Sequence, residues 1–429
     1  MSEVAAVRAN VTNAAIGVPD SGGVVLGVIL RPFAAPSTFR IFDAAHDYSA
    51  YSPMATSNDT LISRRIRQDV QSMHAYAIQD SRGLVKLDAM ENPHRLPPEL
   101  QEALGKRLGA LEFNRYPNDR VNDLHQALAT HAHMPDGFGI MLGNGSDELI
   151  ALLSLACDVP AQVGVARPVV LAPTPGFVMY AMSAKLQGLE FVGVPLTPDF
   201  ALDEAAMLQA IALHEPAIVY LAYPNNPTAN LWDAGAMARI VEAAGAVRSI
   251  VVIDEAYQPF SSQTYLDTIR ANPAGHAHVL LMRTLSKFGL AGVRIGYMLG
   301  QRELIAQVDK VRPPYNISVL NYECALFALE HQEVFAAQAA EIRAQRAILL
   351  EALRATEGVK TWGSDANMVL VRIEGLGDRA QKVFDSLRER GVLVKNVSKM
   401  HPLLGNCLRL TVGTATENNQ LLNALRESL

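Results

Sequence analysis

A chain of 429 residues, 49% of them hydrophobic, has material for two or three domains of roughly 100–200 residues each. A net charge of −6, with no long basic runs, argues against a nucleic-acid-binding surface. Three widely spaced cysteines, Cys157, Cys324 and Cys407, do not make a disulfide framework and fit a reducing cytoplasm.

Residues 1–53 are rich in Ala, Gly, Ser and Pro and show no sustained period. They read as a weakly ordered extension, with one short strand pattern at 24–30. The apolar run GVVLGVIL at 23–30 follows Asp20 rather than a cationic stretch, so it does not read as a secretion signal. No run reaches the roughly 18 apolar residues of a membrane helix. Met54 is an alternative start, because a helix pattern follows it at once. Ile62, Ile66, Val70 and Met73 form one apolar stripe after the capping candidates Asn58, Asp59 and Thr60. Such an arm needs a surface to pack on, for instance a second subunit. The pattern divides the chain into an arm and lead-in (54–112), a large domain (113–317) and a small C-terminal domain (318–429).

From about 84 to 315, helical patterns alternate with short apolar runs. GIMLGN (139–144), PVVLAP (168–173), FVGVPL (191–196), AIVYLAYP (217–224), SIVVIDEAY (249–257) and HVLLMRTLSK (278–287) read as strands. They lack strict alternation, which predicts burial on both faces and a mainly parallel sheet in an α/β fold. From about 318 the pattern becomes two long helices (321–357), then NMVLVRI, a helix, GVLVKN, CLRLTVGT and a last helix, as in a smaller α+β domain.

Four motifs carry chemistry. In LGNGSDELIALLSLA (142–156), a strand gives way to a helix near Ser146. The glycines let backbone N–H groups approach an anion at the helix N-terminus, or else form a plain capped turn. In YPNNPTAN (223–230), Asn226 follows a buried strand, where α/β sheets bind ligands; a proline-rich turn is the alternative. In VVIDEAYQPF (251–260), Asp254 sits at a strand's buried end, which is costly without a cation or donor. A nucleotide-hydrolysing Asp-Glu pair would need a GxxxxGK[ST] loop, which the chain lacks. In TLSKFGLAGVRIG (284–296), Lys287 lies at an apolar sheet edge, which depresses an amine's pKa and suits it to Schiff-base chemistry. Thr284 and Ser286 add hydroxyls, and Arg294 adds a guanidinium fork suited to phosphate.

Together the motifs describe one ligand. Ser146, Thr284, Ser286 and Arg294 suit a phosphate, Lys287 an aldehyde, Asp254 a ring nitrogen, and Asn226 with Tyr257 a ring hydroxyl. That ligand is pyridoxal 5′-phosphate, whose protonated ring takes up carbanion electrons.

The phrases KLDAMENP (86–93), RYPN (115–118), GNGSDE (143–148), YPNNPT (223–228), DEAY (254–257), RTLSKFGLAGVRIGY (283–297), RPPYNIS (312–318) and CLRLTVGT (407–414) occur in this order. From about residue 60 to the C-terminus the chain thereby resembles the fold type I aminotransferases. LDAMENP and RPPYN resemble the histidinol-phosphate branch of that family. The resemblance implies a large domain with a mainly parallel sheet, a smaller α+β domain, and a cytoplasmic homodimer with shared active sites. It implies an exchange of L-histidinol phosphate and 2-oxoglutarate with imidazole acetol phosphate and L-glutamate, in histidine biosynthesis. Lys287 would be the Schiff-base lysine and proton shuttle. Gly145, Ser146 and Asp147 would lie at the cofactor, Phe177 would stack on its ring, and Tyr116 would reach the neighbouring subunit's cofactor phosphate. Asn92, Lys395 and Arg409 would bind substrate, Arg409 accepting both a carboxylate and a phosphate.

The chain departs from the family pattern at several positions. Met90 and His94 stand where NENPYG has Asn and Tyr, Ala229 replaces a glycine, and Lys395 replaces a second arginine. A lysine is a point charge rather than a fork, so the rivals are an aromatic amino-acid transaminase and a phosphothreonine decarboxylase of the same fold. A cofactor-binding transcription regulator would need a helix-turn-helix domain, for which residues 1–53 are too short. His125, His131 and His133 have no HExxH beside them and read as a solvated helix end, with no metal expected.

Overall fold

A computed structural model describes residues 57–73, 79–117, 120–157 and 167–429. The expectations for residues 1–53, and Asn118 of RYPN, lie outside them. Chain contacts divide the molecule into two units, Met1–Met73 and His74–Leu429.

In the first unit, the expected single arm helix is two helices, Ser57–Arg65 and Gln68–Gln71. Arg67 is extended between them (φ −54°, ψ 137°). The Gln71 side-chain amide donates to the carbonyls of Ile66 (2.7 Å) and Ile62 (3.3 Å). The side chain thus takes up the Ile66 carbonyl, which a continued helix would have bonded through its backbone, and shares the Ile62 carbonyl with Ile66 N (2.9 Å). Leu61, Ile62 and Ile66 are exposed.

In the second unit the strands, in chain order, are β1 (Val85–Lys86), β2 (Phe138–Gly143), β3 (Val169–Thr174), β4 (Glu190–Pro195), β5 (Ile218–Ala222), β6 (Ile250–Asp254) and β7 (Val279–Thr284). They continue as β8 (Gly296–Gln301), β9 (Val359–Thr361), β10 (Met368–Ile373), β11 (Val392–Leu393), β12 (Lys395–Asn396) and β13 (Cys407–Thr411). Seven form one sheet in the order β2-β8-β7-β6-β5-β3-β4. Its pairs β3–β4, β3–β5, β5–β6 and β6–β7 are parallel. Strand β8 runs antiparallel to both neighbours. It is not among the strands expected from the apolar runs.

Strand parity separates two cores, since alternate residues face opposite sides. Val219, Leu221, Val251, Ile253, Val279 and Leu281 join one cluster. Ile218, Tyr220, Val252, Leu280 and Met282 join the other, with Leu149, Leu153 and Tyr180 from the covering helices. Each fully buried aliphatic side chain contributes roughly 1.5–3 kcal/mol. Strand β4 differs from the expectation of two-sided burial. It is the sheet edge, so half its side chains meet solvent.

The antiparallel sheet β12-β13-β10-β9 lies C-terminal to the long helices Val319–Glu330 and Gln332–Arg354. Strand β1 pairs in parallel with β11, which ties the lead-in to this C-terminal region. The histidines are not a solvated helix end. His131 lies one turn past Leu128, on the buried face of helix Arg120–His131. Its ring meets Phe288 edge-on at 5.5 Å, and its Nδ1 is 2.9 Å from Gln332 Oε1. Burial lowers the pKa of both His131 and His125. Only His133 of the three is exposed.

Candidate active site

The parallel strands β5, β6 and β7 end side by side, and the loops leaving them enclose a cavity of about 330 Å³. Open α/β sheets bind ligands at this carboxyl edge. Ser146, Asp147, Phe177, Asn226, Asp254, Tyr257, Thr284, Ser286, Lys287 and Arg294 all line it, though they come from five separate stretches of sequence.

One end of the cavity is a nest of donors. Ser146 opens helix Ser146–Ala156, whose first N–H groups have no partner within the helix. Gly145 before it has φ +79°, and a Cβ there would lie 2.5 Å from Arg294 Nη2. A Cβ on Gly296 of β8 would fall 2.7 Å from Ser146 N, so β8 abuts this turn. Arg294 reaches Asp147 Oδ2 at 3.1 Å and Ser286 Oγ at 3.5 Å. Thr284 Oγ1 accepts from Ser286 N at 3.1 Å and donates to the Ile295 carbonyl at 3.1 Å. Two hydroxyls, a guanidinium and a helix N-terminus on one spot suit a phosphate.

Lys287 lies on the short turn Ser286–Leu290, where its Nζ donates to the Ala89 carbonyl at 3.0 Å. Burial, with the nearby Arg409 cation, lowers its pKa to about 8, against the opposing pull of Glu91. A substantial fraction is thus a neutral amine at mildly alkaline pH, as a nucleophile requires. Its Nζ is 6.0 Å from the Tyr257 ring centroid.

Asp254 is buried at the end of β6 and takes part in no ion pair among the described residues. Burial pushes its pKa up to about 6. The Tyr180 hydroxyl donates to its Oδ2 at 2.6 Å, and the Ala256 N–H to its Oδ1 at 3.0 Å. Tyr180 also lines the cavity, a residue that the motif reading passed over. The signal was present: Tyr180 follows Phe177 by three residues at a helix start, so the two share a face. Glu91 lines the cavity as well, joined to Lys86 by an ion pair.

Arg409, on β13, is buried. Its Nη1 donates to Asn226 Oδ1 at 2.9 Å and its Nη2 to the Asp88 carbonyl at 2.8 Å. Asn226 Nδ2 in turn donates to the Tyr257 hydroxyl at 3.0 Å. Lys395 faces Arg409 in the β12–β13 register, so both side chains leave the same face of the sheet. Arg409, Gly145, Lys395, Asn92 and Tyr116 do not line the cavity, although Arg409 bonds to Asn226, which does. Asn92 donates to Gln338 Oε1 at 2.8 Å and accepts from His94 N at 2.9 Å, so its amide shapes a turn. Tyr116 is 75% exposed and stacks on Tyr315 at 4.6 Å.

The departures from the family pattern have a backbone counterpart. Met90 (φ +52°) and Ala229 (φ +64°) stand in the left-handed region, which favours the Asn and Gly of the pattern. Both are anchored. Met90 N donates to Thr411 Oγ1 at 3.0 Å, and Ala229 N donates to the Asn225 carbonyl at 2.9 Å.

The donor set fits pyridoxal phosphate: a phosphate nest, a low-pKa amine, an aromatic face at Phe177, and a buried carboxylate that lacks a cation. Among the described residues no cluster of His, Cys, Asp and Glu could hold a metal, and no helix is long and apolar enough to cross a membrane.

Comparison with known proteins agrees with this chemistry. Residues 82–425 match the family model "Aminotransferase class I and II". The chain is 68% identical over 371 residues to a histidinol-phosphate aminotransferase of Polaromonas naphthalenivorans, covering 86% of this chain and 98% of that protein. It is 64% identical over 366 residues to one of Paracidovorax citrulli, covering 85% and 97%. Its fold is similar to a solved histidinol-phosphate aminotransferase from Sinorhizobium meliloti in complex with pyridoxal 5′-phosphate. That match has TM-score 0.72 and 24% identity, covering 85% of this chain and 97% of the other.

Proposed function

Because the chain belongs to the class I and II aminotransferases, and within them to the histidinol-phosphate aminotransferases, we propose that it exchanges an amino group between L-histidinol phosphate and 2-oxoglutarate. The products are imidazole acetol phosphate and L-glutamate, in histidine biosynthesis. The observation that carries this reading is Lys287: an amine with pKa lowered to about 8, in one cavity with a phosphate nest and an unpaired buried carboxylate.

When bound, pyridoxal phosphate supplies an aldehyde for the substrate's amine and a protonated ring that withdraws electrons from the α-carbon. The residues do the rest. Ser146, Thr284, Ser286, Arg294 and the backbone at Gly145 and Asp147 hold its phosphate. Phe177 covers one ring face, and Asp254 takes the ring N–H. Tyr257, whose burial keeps its phenol protonated, and Asn226 hold the ring hydroxyl. Lys287 Nζ would hold the cofactor's aldehyde carbon, and its amine, with pKa lowered to about 8, would be the base that takes up the proton from the substrate's α-carbon. Arg409 binds the substrate's anionic group, carboxylate or phosphate, and Lys395 adds a second positive charge on the same sheet face. Asn92 supports the substrate end of the site through the 86–93 segment. The exposed Tyr116–Tyr315 stack suits a homodimer, with Tyr116 reaching the partner's cofactor phosphate. Such an enzyme works in the cytoplasm.

The test is a titration of the loaded protein with L-histidinol phosphate, without keto acid, following the cofactor's long-wavelength absorbance. Loss of that band at low substrate, with phenylalanine needing far more, is the expected result. Equal response to phenylalanine would instead make the enzyme an aromatic amino-acid transaminase. Release of carbon dioxide from phosphothreonine would make it a decarboxylase. Lys287→Ala should abolish turnover in a folded chain, and an active variant would sink the assignment of Lys287.

A further inference from the structure

Tyr180 has no part in the roles above, yet its placement is tightly constrained. It is 2% exposed. Its ring lies parallel to that of Tyr220, with centroids 4.3 Å apart and planes 7° apart. Phe177 meets it edge-on at 5.6 Å. Packed this way, the ring cannot swing, and its hydroxyl stays 2.6 Å from Asp254 Oδ2. Burial and the adjacent carboxylate hold the phenol's pKa well above its usual value, so the hydroxyl keeps its proton and donates.

A carboxylate in this position has a specific hazard. Burial favours its neutral form. A buried acid facing a ring nitrogen can therefore keep the shared proton, leaving the ring neutral and a weaker electron acceptor. A hydrogen bond to the ionised form acts in the opposite direction. Tyr180 supplies one such bond and Ala256 N–H the other, one to each oxygen.

We propose that Tyr180 is a positioning residue for the cofactor's ring nitrogen: its hydroxyl keeps Asp254 ionised and oriented, so that the shared proton resides on the ring. This rests on the reading of Asp254 as the ring-nitrogen partner. It requires Tyr180 to act only through Asp254, and therefore only on ligands that carry the nitrogen.

The experiment compares the full chain with Tyr180→Phe, which keeps the ring and its stacking. Affinity is measured for pyridoxal phosphate and for its 1-deaza analogue, in which a C–H replaces the ring nitrogen. In the wild type, the ring nitrogen should favour pyridoxal phosphate. In Tyr180→Phe that preference should shrink about tenfold, the scale of one hydrogen bond to a charged group, while deaza-analogue affinity stays within about twofold. The ¹⁵N shift of a labelled cofactor ring should move toward its unprotonated value in the variant. Equal weakening of both ligands, or an unchanged ¹⁵N shift, would overturn the inference by reducing Tyr180 to packing. A wild type that does not distinguish the two ligands would overturn the reading of Asp254 itself, and this inference with it. If Tyr180→Phe fails to fold, 3-fluorotyrosine at position 180 is the second variant. Its more acidic hydroxyl donates more strongly, so the preference should rise above wild type, and an unchanged or lower preference would overturn the inference.

Discussion

Asp254 and Glu255 are adjacent in the chain and leave the end of β6 toward opposite faces of the sheet. On Glu255's face, the carboxylate is closed in by Arg283 Nε (3.0 Å) and Nη2 (2.8 Å), Thr264 Oγ1 and Tyr265 N. On Asp254's face, the carboxylate has a phenol and one backbone N–H. Both are buried carboxylates of similar chemistry. One is a finished ion pair that ties β6 to β7, whereas the other is held for a positive partner brought by a ligand. Burial without a cation therefore distinguishes a functional carboxylate from a structural one better than burial alone.

The difference can be broken most forcefully on the closed face. Glu255→Gln leaves Arg283 as a buried charge without its counter-ion and should cost about 3–5 kcal/mol of stability. Urea unfolding reads that loss, and the protein that remains folded should keep its turnover. On the open face the sign reverses. Asp254→Asn should stabilise the cofactor-free chain by about 1–3 kcal/mol while lowering turnover steeply. The wild-type carboxyl has its folded pKa raised to about 6 from 3.8. Its charged form is therefore the costly one. The variant's advantage is complete above pH 6 and fades as both folded and unfolded carboxyls protonate toward pH 4. Unfolding of the apo protein at several pH values checks this, and an advantage that grows on acidification would contradict it.

Lys287 sharpens the contrast from the same face. With a pKa near 8, its neutral fraction rises roughly fivefold between pH 7 and 8 and then levels off. Uptake of pyridoxal phosphate by the apo protein should follow that curve. An ordinary lysine, with a pKa of about 10.4, would still gain about sevenfold between pH 9 and 10. The smallest effect belongs to the loop after β5. Ala229→Gly relieves a left-handed alanine against glycine's greater unfolded entropy, for a net gain of about 0.5–1 kcal/mol in thermal unfolding.

Much of this was legible in one dimension. Apolar runs ending in Asp254 and in Thr284 marked strands with chemistry at their carboxyl ends. Most of the polar residues that line the cavity could be assembled from four motifs because each motif is a short loop bound to one strand or helix end, whereas Glu91, Phe177 and Tyr180 lie outside all four. Tyr180 was legible in principle, three residues beyond Phe177, but nothing local says that its hydroxyl meets a carboxylate 74 residues away. The edge position of β4 and the reversal of β8 were not legible either. Strand order depends on which strands pair, and an apolar run looks the same in the middle of a sheet as at its edge.

Residue chemistry and local spacing thus specified the element types, the lysine, the phosphate nest and the kind of ligand they suit, because each depends on neighbours within a few positions. Tertiary packing alone decided which carboxylate is paired and which is open, where Tyr180 points, and that Asn92 bonds within its own turn and to Gln338. It also set the pKa values of Lys287 and Asp254. Those properties depend on burial and on charges brought close from distant parts of the chain, and neither has a local signature.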